Sequence, residues 1–122
     1  MSQDAPLTPE TFALLRENAR ADNDLLCRND ALGDVFTRPR DVDFLFKTGE
    51  EQRAQALCDY ILAMHFADAT MRRDEDGLFW VTAILPMPVH PPLICSVSAF
   101  MVCLAQLFEV EYDGWGSVIQ NG

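Results

Sequence analysis

The chain has 122 residues and a mass of 13.7 kDa, enough for one domain whose core needs neither metal nor disulfide support. Apolar residues make up 49%, which excludes wholesale disorder, and 19 Asp and Glu against 9 Lys and Arg give a formal charge of −10. Every Lys and Arg lies at or before Arg73, so direct DNA or RNA binding, which needs cations along the phosphates, is not expected; a basic protein surface suits such a chain better.

Thr8-Pro9-Glu10 reads as a helix start: a hydroxyl cap, proline in the first turn and an acid favoured by the helix dipole. Phe12, Leu15, Ala19 and Leu26 follow at helical spacing, but Asp22 interrupts this thin stripe, so the helix must lean on something else. Residues 29–40, with Gly33 and Pro39 among charges, read as a connector. Val42, Phe44 and Phe46 alternate with Asp41, Asp43 and Leu45, which predicts a strand. Thr48-Gly49-Glu50-Glu51 has the pattern of a capping box, and Ala54, Leu57, Cys58 and Ile61 predict an amphipathic helix behind it. Residues 66–72 alternate again, and Asp74-Glu75-Asp76-Gly77 supplies a turn. The run 78–85 is apolar on both faces, as a central strand is. Pro91-Pro92 opens a last helix to about Phe108, burying Leu93 or Ile94, Val97, Met101, Leu104 and Phe108. Val110-Glu111-Tyr112 and Ser117-Val118-Ile119 read as strand on either side of Asp113-Gly114-Trp115-Gly116.

From Asp41 onward the order is β-α-β-β-α-β, so the expected class is α+β: a ferredoxin-like, four-stranded antiparallel sheet with both helices on one face. Residues 1–40 form an N-terminal helix and connector, and residues 41–122 form the domain. The other sheet face carries Leu45, Trp80 and Ile84, an apolar surface that calls for a cover. The N-terminal helix through Phe12 and Leu15, a second copy of the chain, or another protein could supply it.

Chemistry-bearing patterns are sparse. Cys27, Cys58, Cys95 and Cys103 form no CxxC and no zinc spacing, and read as free thiols of a reducing compartment. MSQDAPLTPE lacks the basic and apolar regions of an export signal, and prolines 86, 88, 91 and 92 break the long uncharged run 78–108. A cytoplasmic protein without a membrane span, metal or cofactor is therefore expected. His65 and His90 read as structural or exposed, and Asp74, Glu75 and Asp76 as a solvated hairpin tip or a protein contact. In Tyr112-Asp113-Gly114-Trp115-Gly116, two glycines around a tryptophan suggest a bulge or bend that re-aims the indole. It either packs on the core or stands as an aromatic anchor beside carboxylates.

The stretch from Phe108 to Gly116, with its YDGWG motif, resembles the C-terminal signature of the RraB family, regulators of ribonuclease E activity. Gly33-Asp34 ahead of Arg40-Asp41-Val42-Asp43-Phe44-Leu45-Phe46 resembles that family's lead-in to its first strand, and the likeness extends loosely over residues 12–119. The resemblance implies a ferredoxin-like α+β fold and a non-catalytic protein that binds ribonuclease E and restrains its cleavage of RNA. Tyr112, Asp113, Gly114, Trp115 and Gly116 carry over individually. Members of that family continue into a strongly acidic tail, whereas this sequence ends at Gly122, six residues after Gly116.

The leading expectation is thus a regulatory protein whose carboxylates at Asp41, Asp43, Asp74, Glu75 and Asp76 meet a basic surface, with Trp80 or Trp115 as the desolvated centre. Two other readings stay open. One is a ligand-binding protein or enzyme using a cleft beside the last strand with Tyr112, Asp113 or His90; the other is a homo-oligomer built through the open sheet face.

Overall fold

The computed structural model describes residues 9–121; the Thr8 cap and the residues before it lie outside them. Seven elements follow in order: α1 (Pro9–Ala31), β1 (Arg40–Thr48), α2 (Glu51–Met64), β2 (Asp68–Arg73), β3 (Phe79–Met87), α3 (Pro91–Phe108) and β4 (Glu111–Ser117). The architecture is α+β, a four-stranded antiparallel sheet with three helices, and the strand order is β2-β3-β1-β4.

The inner strands are the two whose sequences are most apolar. Val42, Phe44 and Phe46 of β1 and Val81 and Ala83 of β3 are fully buried on the helix side, where Leu57 and Ile61 of α2 and Ile94, Met101 and Leu104 of α3 meet them. β3 runs on to Met87, beyond the last β2 pairing at Asp68–Ile84, and Pro86 falls in that one-sided extension, where a missing ladder donor is tolerated. The length and composition of α3 would also suit a membrane span, but here its apolar side is taken up by the sheet and by α1.

Three local expectations need correction. Helix α2 starts two residues later than the capping-box reading: Glu50 is the N-cap without a side-chain cap bond, and Thr48 Oγ1 instead accepts the Glu50 amide at 3.1 Å. The last strand is continuous over residues 111–117 with the expected bulge inside it, and it stops short of Val118 and Ile119. And α1 does not cover the outer sheet face: among the described residues it packs on α3 and β4 only, with Phe12 51% exposed. The reason is chemical. The apolar stripe of α1 is too thin to seat the helix on an apolar sheet, and the polar side chain that breaks it, Asp22, has its partners on α3 and β4.

The single strand β4 depends on one glycine. Phe46 pairs with Tyr112 and Phe44 with Trp115, so Asp113 and Gly114 together stand against Leu45, a β-bulge. Gly114 has φ +96°, a left-handed conformation that costs a side-chain-bearing residue of order 1–3 kcal/mol. A Cβ there would meet no atom within 4 Å, so the cost is conformational and not steric. We expect Gly114→Ala to lower stability by about 1–2 kcal/mol in urea unfolding without changing the m-value. A loss below a few tenths of a kcal/mol would contradict the assigned backbone.

Candidate functional site

The bulge explains the motif. Side chains of a regular strand alternate, so residues three apart face opposite sides; the extra residue resets the alternation and turns both Tyr112 and Trp115 toward the helices. The Tyr112 ring lies 5.3 Å from that of Phe46 at a tilt of 45°, and Trp115 is 6% exposed. The bend therefore re-aims the indole inward.

Both aromatic groups carry a polar tip, and the tips end in a buried cluster. Asn18 Nδ2 donates to Asp22 Oδ2 at 3.2 Å and to Ser98 Oγ at 3.0 Å. Ser98 Oγ donates to Asp22 Oδ1 at 3.1 Å, and Trp115 Nε1 donates to the same oxygen at 3.1 Å. The Ser98 hydroxyl hydrogen being so placed, the 2.9 Å contact with Tyr112 is filled by the tyrosine hydroxyl donating. Every group around Asp22 is thus a donor, an arrangement made for a carboxylate. Burial pushes the Asp22 carboxyl above its ordinary value, and the Ser98 and Trp115 hydrogen bonds pull it back in part. Burial likewise raises the Tyr112 hydroxyl far above the ordinary tyrosine range, which keeps it a neutral donor.

A second buried polar group fastens the connector. Arg40 Nη1 donates to Asp34 Oδ2 at 2.8 Å, with both side chains at 2% exposure or less. Arg40 Nε donates to the Arg38 carbonyl and Nη2 to the Val35 carbonyl, and the Gln120 amide donates to Asp34 Oδ1. Burial works to raise the Asp34 carboxyl, but Arg40 and the Gln120 amide outweigh it and hold the group below its ordinary value. Chain order alone gave no sign of this pair; the signal was Gly33-Asp34 and Arg40 flanking a loop.

A family model described as Regulator of ribonuclease activity B matches residues 19–117. The chain belongs to this family. No curated protein matches the chain. The RraB match begins inside α1 and ends with β4, so it takes in Asp22, Asp34, Arg40, Ser98, Tyr112 and Trp115.

The residues singled out from the sequence fall into three places. Tyr112, Trp115 and Gly114 build the inward lock just described. Asp41 and Asp43 are exposed on the outer sheet face with Trp80, Asp113 lies beside them, and Gly116 pairs with Asp43. On that face Lys47 Nζ and the Arg72 guanidinium lie 5.6 and 5.4 Å from the Trp80 ring centroid, and Trp80 Nε1 donates to Asp74 Oδ2 at 2.7 Å. Lys47 also pairs with Asp113 at 3.3 Å and Glu111 at 3.6 Å; the Asp113 hydrogen bond leads in raising its pKa. The third place is the hairpin tip. There Asp74 is committed to the Asp76 and Leu78 amides as well as to Trp80, and the Trp80 bond leads in lowering its pKa, while Glu75 and Asp76 are exposed.

Beside Tyr112 opens a groove of about 710 Å³ between α1, the C-terminal half of α3 and the start of β4. Tyr112 and Asp113 line it, but His90, proposed with them for a ligand cleft, is the N-cap of α3. Ser98, which holds the Tyr112 hydroxyl, is eight residues along, about 12 Å. Among the described residues no group of three His, Cys, Asp or Glu side chains is placed to hold a metal ion.

Proposed function

We propose that the chain is a non-catalytic cytoplasmic regulator that binds ribonuclease E, or a related RNA-processing protein, and restrains its RNA cleavage. In this reading the framework is a ferredoxin-like arrangement extended by α1, which residues 1–40 add to the unit formed by residues 41–122. What supports it, beyond family membership, is one observation: the outer sheet face is uncovered, with carboxylates at one end and a tryptophan between two cations at the other. Asp41, Asp43 and Asp68 are exposed at one end of that face and Trp80 is half-buried at the other. Carboxylates so placed compete with RNA for a basic protein surface, and Trp80 takes the anchor role because Trp115 is spent on Asp22.

Calorimetric titration against purified ribonuclease E from the same organism tests this. Binding that weakens steeply with salt is expected; no binding at low salt overturns the reading. In stopped-flow measurements, Asp41→Asn with Asp43→Asn is expected to slow association several-fold and reduce its salt dependence, with dissociation nearly unchanged.

A further inference from the structure

We propose that the groove between α1, α3 and β4 is the seat of a basic, amphipathic segment of a protein partner. This rests on the regulatory reading above and adds to it a second surface and the chemistry of what binds there. The groove has an apolar floor and a charged rim. Leu14 and Ala21 of α1 face Val102 and Ala105 of α3 across it. Leu14 is 40% exposed, so the floor is open to an incoming apolar side chain.

The rim has one sign. Glu17, Glu109, Glu111 and Asp113 line the groove against a single cation, Lys47, and that cation is already paired with two of the four. The arginines of α1 stand aside: Arg16, Arg20 and Arg28 do not line the groove, whereas Glu17, between the first two, does. Glu109 pairs outward with Arg53 at 3.4 Å, both side chains well exposed, an arrangement that a stronger partner can displace at little cost. A volume of about 710 Å³ falls within the ~300–1,000 Å³ usual for sites that enclose a ligand group. An apolar trough edged by four carboxylates against one lining cation is complementary to a segment that combines Leu-like side chains with Lys or Arg.

The experiment uses the full chain and two probes: ribonuclease E, and a synthetic 14-residue helical peptide with Leu at positions i, i+3, i+4 and i+7 and Lys elsewhere. Ala21→Arg fills the groove with a long cation at an exposed helix position, where Arg is nearly as good a helix former as Ala. Ala13→Arg makes the same change on α1 away from the groove and serves as the control. The expected result is a tenfold or greater loss of ribonuclease E affinity for Ala21→Arg and less than twofold for Ala13→Arg, with both variants melting like the wild type. If ribonuclease E binds wild type and Ala21→Arg equally well, the groove proposal falls while the regulatory reading stands. If ribonuclease E binds neither, the regulatory reading falls and the peptide decides the groove. Amide shift changes at Val102, Ala105 and Gly114 that vanish in Ala21→Arg then uphold it, and changes confined to the outer sheet face overturn it.

Discussion

Replacing Asp22 with Ala is expected to cost about 3 kcal/mol of stability and to lower the melting temperature by roughly 10 °C. The carboxylate accepts from Asn18, Ser98 and Trp115, and hydrogen bonds to a charged acceptor are worth about 1.5–3 kcal/mol each. The sum is not recovered in full, because burial has already raised this carboxyl and its removal relieves that desolvation. What remains after truncation is the Ser98 hydroxyl and the Trp115 indole without their acceptor, while Asn18 keeps its bond to Ser98, so α1 loses its link to β4 and one of its two to α3. Asp22→Asn is expected to be damaging too, since one amide face would present hydrogens to donors. Urea unfolding and Trp115 fluorescence read both effects; a loss under 1 kcal/mol for the alanine variant would show that α1 is held by its apolar contacts instead. The sign of the pH effect follows from the raised pKa. The native state binds this proton more tightly than the unfolded chain, so the proton-linked part of the stability is fully present below the ordinary carboxylate value and is lost as pH rises through the native value, leaving what the ionised carboxylate's hydrogen bonds contribute.

Breaking the buried pair by Arg40→Met is expected to cost about 3–5 kcal/mol, because an uncompensated Asp34 carboxylate is left with almost no solvent. The loss extends past the pair: the guanidinium also holds the Val35 and Arg38 carbonyls, and Asp34 holds the Gln120 amide, so the connector and the C-terminal strand-like segment around Asn121 loosen together. Adding Asp34→Asn to Arg40→Met removes the stranded charge, so the double variant should be more stable than the sum of the single losses predicts. Strict additivity would mean that the pair does not interact. Here the pH dependence runs opposite to that of Asp22. The native Asp34 carboxyl lies below its ordinary value, so its stabilisation is present above that value and is lost as pH falls through the native one. Acid unfolding followed by circular dichroism between neutral pH and pH 2 should therefore include a loss of stability through the Asp34 titration in the wild type, and that component should be missing in Asp34→Asn.

The elements that periodicity resolved best are those whose burial is purely apolar. Val42-Asp43-Phe44-Leu45-Phe46 alternates without interruption, and Ala54, Leu57, Cys58 and Ile61 repeat at helical spacing, so β1 and α2 could be read directly. β4 was legible only from its flanks and its two glycines, since the bulge at Gly114 breaks the alternation that identifies a strand. The place of α1 was hidden for a different reason. Hydrophobic patterning treats Asp22 as a defect in the stripe, whereas in the fold it is the point of attachment; the usable sign was a pair of misfits, Asp22 among apolar positions of one helix and Ser98 among those of another. Of the candidate site, the acids on β1 and the hairpin tip were visible as charge and the groove as a cleft beside the last strand at Tyr112 and Asp113, but its helix walls were not, because they come from two helices distant in sequence.

The chain's two tryptophans stand on opposite sides of one sheet, and each indole gives its hydrogen to a carboxylate. They report on different events. Trp80, beside two cations and partly open to water, is within reach of a dissolved quencher, and an arriving protein would shield it. Trp115 is sealed under the first helix, and its emission changes when that helix lifts away. A single native chain thus offers two optical channels, one for capture at the exposed surface and one for detachment of the amino-terminal helix, without any label.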